Sequence, residues 1–123
     1  MKRALSVLIV EDEALTVLML RQFLSEEGHR SVAVASGQAA LEATLREVPD
    51  LILMDVGLPG PLDGVETSRR ILSQRRIPLI LISGFARDEL LERIRPLPIL
   101  DCLTKPLSLE ALEKHLMDLS GKT

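Results

Sequence analysis

The sequence has no tryptophan and no tyrosine, and only Phe23 and Phe85 carry a phenyl ring. Its core must therefore be aliphatic, and it offers no aromatic platform on which a flavin ring could stack. A single cysteine, Cys102, excludes an internal disulfide and fits a reducing compartment. No apolar stretch approaches the roughly 20 residues needed to span a bilayer, so membrane insertion is not expected. The start, Met1-Lys2-Arg3-Ala4 followed by apolar Leu5 to Val10, begins as an export signal would. Glu11, Asp12 and Glu13 stop that run at once, and the expected location is cytoplasmic. Net charge is −3 with the basic residues scattered, so direct nucleic-acid binding is not expected either.

What is present suits one globular domain over residues 1–123, with 46% hydrophobic and 27% charged residues. A chain of this size buries about two-thirds of its unfolded surface, enough for one core without metal or disulfide staples. Five short β-branched runs recur: Leu5–Val10, Ser31–Ala35, Leu51–Met54, Leu79–Ile82 and Ile99–Leu103. Most are continuous rather than alternating, as in parallel strands covered on both faces. Helical spacing separates them. Leu15, Leu18, Met19 and Phe23 mark the first helix, stopped by Gly28. Leu41, Leu45 and Val48 mark the second, entered at Ser36 and ended before Pro49. Val65, Ser68, Ile71 and Leu72 mark the third, and Leu90, Leu91 and Ile94 the fourth. Leu109, Leu112, Leu116 and Leu119 mark the fifth, capped by Ser108. Residues Ser120 to Thr123 read as a frayed end. The alternation implies an α/β sandwich on a parallel sheet with right-handed crossovers.

On that scaffold, Glu11 and Asp12 follow the first strand, Asp55 the third and Lys105 the fifth, while Ser83 ends the fourth. In a parallel sheet the C-terminal strand ends share one edge, where ligands bind at the switch point of the topology. Three crowded carboxylates repel unless a cation or proton intervenes. Mg²⁺ suits them, since it takes oxygen ligands and needs only one or two carboxylates beside phosphate oxygens. A carboxylate there can attack phosphorus to give an acyl phosphate, with Lys105 neutralising charge and the Ser83 hydroxyl hydrogen-bonding a phosphoryl oxygen.

The strings Val7-Leu8-Ile9-Val10-Glu11-Asp12-Glu13, Leu53-Met54-Asp55-Val56-Gly57-Leu58-Pro59, Asp63-Gly64-Val65-Glu66, Leu81-Ile82-Ser83-Gly84 and Thr104-Lys105-Pro106 resemble, in order, signature segments of two-component response-regulator receiver domains. The resemblance covers nearly the whole chain and is closest to single-domain, chemotaxis-regulator-like members. It implies a flavodoxin-like, doubly wound (βα)5 three-layer sandwich with sheet order 2-1-3-4-5. It further implies Asp55 as phospho-acceptor, Asp12 as direct Mg²⁺ ligand, Glu11 acting on the metal mainly through water, and the Gly57 carbonyl as another ligand. Lys105 would bind the phosphoryl group and Ser83 would be the switch hydroxyl; a cis Lys105-Pro106 bond is common in relatives. The implied partners are a histidine kinase or histidine phosphotransfer protein upstream and a protein target downstream.

Three positions depart from the common pattern. Cys102 stands where many receivers carry the switch Tyr or Phe, and reads as a small inert strand residue rather than a redox sensor. Phe85, two residues after Ser83, could supply the missing aromatic, as in a subgroup lacking the strand-five ring. Gly57 presents no side chain toward the phosphoryl site, leaving room for hydrolytic water, in a Gly57–Leu62 loop one residue longer than usual. Glu11 and Asp12 are also expected to help cap the first helix. His29 and His115 fall far from the acidic edge and read as surface histidines. The competing functions are a phosphate sink, a non-phosphorylated adaptor that kept the fold, an FMN protein on the same architecture and a small Mg²⁺-dependent phosphatase. Glu11-Asp12-Glu13 disfavours FMN, because that loop would repel its phosphate.

Overall fold

The computed structural model describes residues 3–121. Five strands, β1 (Ser6–Val10), β2 (Arg30–Val34), β3 (Leu51–Asp55), β4 (Leu79–Ser83) and β5 (Asp101–Thr104), form one parallel sheet in the order β2-β1-β3-β4-β5. Five helices alternate with them: α1 (Ala14–Glu26), α2 (Gly37–Arg46), α3 (Gly64–Gln74), α4 (Arg87–Ile94) and α5 (Leu109–Leu119). This is the flavodoxin-like three-layer sandwich.

Strand alternation sorts the core into two layers. Val7, Ile9, Leu51, Leu53, Ile80 and Ile82 pack with Leu20 and Leu24 of α1 and Leu112 and Leu116 of α5. Their neighbours Leu8, Val10, Ile52, Met54, Leu79 and Leu81 face α2, α3 and α4. Every residue of β3 and β4 is buried, which explains why these central strands read as unbroken apolar runs. Ser36 and Ser108 cap α2 and α5 as their positions suggest, each accepting from the backbone N–H three residues on.

The structure corrects several sequence expectations. Leu15, Leu18 and Met19 lie on the exposed side of α1, while Leu20 and Leu24 face the sheet. In α2 Leu45 is exposed, as is Val48 beyond the end of the helix, and the small residues Gly37, Ala40 and Thr44 make the buried face. Periodicity locates a stripe, but the neighbouring layer decides which stripe is covered. β5 starts at Asp101 rather than Ile99, because Leu97 and Ile99 close local turns onto Ile94 and Leu97.

His29 is buried rather than on the surface, and its Nδ1 accepts from the Leu5 backbone N–H at 2.9 Å. His115 is half-buried against Asp101, with Nε2 2.7 Å from Oδ2. Ser120 is buried too, donates its N–H to the Leu116 carbonyl of α5 and accepts from the Arg3 N–H with its own carbonyl, while Gly121 is exposed; Lys122 and Thr123 of the expected frayed end lie outside the described residues. Met1 and Lys2 of the signal-like start are also outside them.

Asp101 gathers His115, Arg87 and the Cys102 N–H. Burial opposes its charge, but those three partners outweigh it and hold the carboxyl below its ordinary value. A depressed carboxyl stabilises the fold above its unfolded pKa, near 3.9, and that contribution fades as pH falls through the lower folded value. Asp101→Asn is therefore expected to cost about 1–2 kcal/mol at pH 7, with the gap closing below about pH 4. Urea unfolding followed by circular dichroism at the two pH values checks this; an equal gap at both would contradict it.

Candidate functional site

The chain reverses its direction of travel across the sheet between β1 and β3, and the acidic residues gather at the C-terminal ends of those two strands. Glu11, Asp12 and Asp55 each offer a carboxylate oxygen within 4.8 Å of the others. Asp12 is exposed, whereas Glu11 and Asp55 are buried. Lys105, just past β5, reaches across to place its Nζ 3.2 Å from Asp55 Oδ1 and 4.0 Å from Glu11 Oε1. Its backbone N–H donates to the Ser83 carbonyl, tying the lysine to the end of β4.

Electrostatics follow from this crowding. Burial pushes the Glu11 carboxyl above its ordinary value and the Asp55 charge adds to the rise, against the Glu13 N–H and Lys105. Burial alone would lower Lys105, yet the hydrogen bond and charge of Asp55, with Glu11, hold its ammonium above the usual lysine value. The lysine thus stays protonated across the physiological range and serves as a fixed cation.

The donor set fits a hard divalent cation. Three carboxylates converge, and Glu11 Oε1 is buried with no hydrogen-bond partner among the described residues, the Lys105 ammonium lying 4.0 Å away. Oxygen donors of this kind are those Mg²⁺ prefers. The expected capping by Glu11 and Asp12 is not what the structure shows. Glu13 is the N-cap position of α1, Thr16 hydrogen-bonds its side chain, and Glu11 Oε2 accepts the Glu13 N–H.

The other site residues surround this cluster unevenly. Gly57 sits two residues past Asp55 and donates its N–H to Oδ1 at 3.2 Å. A methyl group there would touch nothing closer than that oxygen, at 4.0 Å, so the approach is open. Ser83 is buried at the end of β4, and its Oγ accepts the Phe85 N–H at 2.8 Å. Phe85 is 55% exposed and outside the carboxylate cluster. Cys102 is buried in the layer shared with α4, and burial pushes its thiol up, which agrees with an inert residue. Lys105-Pro106 is cis, as is Arg95-Pro96.

Sequence reading missed Gly64. A Cβ there would lie 2.1 Å from the Asp55 carbonyl oxygen and 2.7 Å from Val56 Cα, so α3 starts in direct contact with the backbone carrying Asp55. The Asp63-Gly64 string was visible, but the close approach is a tertiary fact. Also missed were Arg87 and Arg93, whose carboxylate partners lie 14 and 30 residues away.

Comparison with known proteins places this geometry in context. The response regulator receiver domain model matches residues 7–117. The transcriptional regulatory protein PdtaR of Mycobacterium tuberculosis is 39% identical over 107 residues, covering 86% of this chain and 52% of its own length. The chain thus spans about half of that relative. The polar-differentiation response regulator DivK of Brucella ovis is 33% identical over 120 residues, 92% of this chain and 97% of its own. Among solved structures, the Klebsiella pneumoniae RstA receiver domain, BeF3-activated, superposes with a TM-score of 0.85 at 25% identity, covering 95% of this chain and 99% of its own. The receiver domain of sensor histidine kinase PA1611 from Pseudomonas aeruginosa, with a magnesium ion coordinated in its active site cleft, gives 0.84 at 30% identity, covering 97% and 99%. The family match runs through all five strands and the carboxylate–lysine edge, and the chain belongs to the response regulator receiver domain family.

Proposed function

We propose that this receiver is a phosphorylation switch in which Asp55 takes a phosphoryl group from a phosphohistidine on a histidine kinase or phosphotransfer protein. The observation that carries the reading is the Lys105 ammonium 3.2 Å from the Asp55 carboxylate at an edge where three carboxylates converge. An Asp55 oxygen attacks phosphorus, the phosphorus–nitrogen bond of the donor breaks, and its electron pair leaves on the imidazole. Lys105 balances charge on the phosphoryl oxygens, and the Ser83 hydroxyl is one strand away to donate to one of them. Asp12, Asp55 and the Gly57 carbonyl, with Glu11 acting through water, would hold Mg²⁺, which when bound supplies positive charge against the phosphoryl group. The open space at Gly57 admits water to the acyl phosphate.

Output passes through protein contacts to a downstream target, in a cytoplasmic setting. Among the described residues no helix is long and apolar enough to cross a membrane. A phosphate sink would use the same residues, whereas a non-phosphorylated adaptor would have no use for a lysine held between buried carboxylates.

Titration with Mg²⁺ followed by amide NMR tests the metal half of this reading. Wild type is expected to bind saturably, with the largest shifts at residues 11–13 and 55–58. Asp12→Asn should weaken binding at least about ten-fold, as the loss of even a supporting group does. Equal affinity in the two proteins would remove Asp12 from the metal site.

A further inference from the structure

The fold gathers arginines that lie apart in the sequence. α3 and α4 share one layer of the core, through Val65 and Ile71 on the first and Leu90 and Ile94 on the second. Each leads into the next parallel strand, so both end at the edge where β4 and β5 begin, opposite the carboxylate edge. Six of the fifteen lysines and arginines sit on α3, in the last turn of α4 or just past these helices: Arg69, Arg70, Arg75, Arg76, Arg93 and Arg95. All six are exposed. Arg69 Nη2 donates to the Arg93 carbonyl at 3.3 Å, which joins the two helices. Past the helix ends, Arg76 borders the same cavity as Pro98 and Ile99, so the two exits meet as well.

The charge of this cluster is poorly balanced. Arg69 and Arg70 share Glu66, at 3.5 and 3.1 Å, and Arg93 pairs with Asp63 at 2.8 Å. Arg75, Arg76 and Arg95 form no ion pair among the described residues, and the α4 carboxylates Asp88, Glu89 and Glu92 pair with none of the six. From residue 64 to residue 76 the net charge is +3, in a protein whose total is −3. A helix C-terminus carries about half a negative charge, so the ends of α3 and α4 together offset roughly one guanidinium group. The excess faces solvent.

Guanidinium forks match carboxylates and phosphates alike, and the surroundings decide between their carriers. Phe23 is on α1 and Phe85 precedes α4, at the end remote from Arg95, so no ring stands beside the unpaired arginines to stack on a base. No large hydrophobic residue from 64 to 76 is exposed, which leaves nothing to insert into a lipid surface. The cluster is also short, about 10 Å from Arg69 to Arg76 at the helical rise. A long nucleic acid would run past it onto a surface that is net negative, whereas three or four extended residues at roughly 3.3 Å each would cover it.

We infer that the arginine cluster at the ends of α3 and α4 is a docking surface for an acidic segment, rich in Asp or Glu, of a partner polypeptide. It is separate from the phosphoryl site. The length of β4, roughly 17 Å for five residues, lies between them, about twice the screening length at physiological salt.

The test is fluorescence anisotropy of a fluorescein-labelled oligoglutamate peptide with the full chain at low ionic strength. Wild type is expected to bind and to release the peptide as salt is added. Arg75→Gln/Arg76→Gln should weaken binding about five-fold or more. Arg30→Gln/Lys114→Gln, which removes the same charge from exposed positions elsewhere, should stay within about two-fold of wild type. No binding by wild type, or an equal loss in the two variants, overturns the docking surface. Tighter binding of an oligouridylate RNA or of phosphatidylglycerol vesicles than of the peptide overturns the polypeptide assignment. Should the Arg75/Arg76 variant fail to fold, amide NMR of wild type with the peptide decides: shifts centred on residues 69–76 and 93–96 support the surface, and shifts confined to other residues overturn it.

Discussion

Lys105→Met is expected to slow phosphoryl uptake from acetyl phosphate by roughly a hundred-fold or more, the loss that follows removal of a positioned charge-stabilising donor. The same change is expected to tighten Mg²⁺ binding. These opposite signs come from one geometry. The Lys105 ammonium lies 3.2 Å from Asp55 and 4.0 Å from Glu11, so it offsets charge on the same carboxylates that would bind the cation. Removing it abolishes repulsion between two cations but leaves the phosphoryl oxygens without their ammonium. A general loss of structure would weaken both functions together. Labelling at the wild-type rate, or weaker Mg²⁺ binding, would show that Lys105 does not act at the phosphoryl group.

Gly64→Ala is expected to destabilise the fold by roughly 3 kcal/mol, the upper end of ordinary overpacking. The added methyl group would lie 2.1 Å from the Asp55 carbonyl oxygen and 2.7 Å from Val56 Cα. Both are backbone atoms of buried residues, Asp55 at the end of β3 and Val56 just past it, so neither swings aside as the tip of a side chain would. Relief requires moving α3 away from β3 or moving Asp55 itself, and the Gly64 N–H to Val56 carbonyl bond of 2.9 Å resists the first. The variant should therefore also label slowly whatever stability remains. Gly57→Ala is the matched control, because its methyl group meets only Asp55 Oδ1, at 4.0 Å, and it should unfold within about 0.5 kcal/mol of wild type, as surface substitutions usually do. With no tryptophan or tyrosine to report, urea unfolding is followed by far-ultraviolet circular dichroism. Equal stability of Gly64→Ala and wild type would mean that the helix–strand contact yields easily.

The strands, the layer order and the carboxylate–lysine edge were legible in the sequence for a physical reason. Parallel strands buried on both faces must be apolar throughout, and βα connectivity sends every strand end to one edge. Glu11, Asp12, Asp55 and Lys105 could therefore be placed together across 94 positions of sequence, from residue 11 to residue 105. The faces of α1 and α2 were not legible, since Leu15, Leu18 and Leu45 have helical spacing but no layer lies over them. His29 was misread because a polar residue beside a glycine turn resembles a surface residue, while its ring in fact accepts the Leu5 N–H. The arginine anchors of α4 and the close approach at Gly64 depend on how the helices settle against the sheet, which local pattern does not encode.

The most direct test of the central claim is intact mass after incubation with Mg²⁺ and acetyl phosphate under rapid quench, for wild type beside Asp55→Asn. A single phosphoryl adduct on wild type, absent from the variant and absent without Mg²⁺, is the predicted result. An adduct that persists in Asp55→Asn would place the acceptor elsewhere. No adduct on wild type, together with no binding of beryllofluoride, would contradict the switch and favour an adaptor built on the same fold.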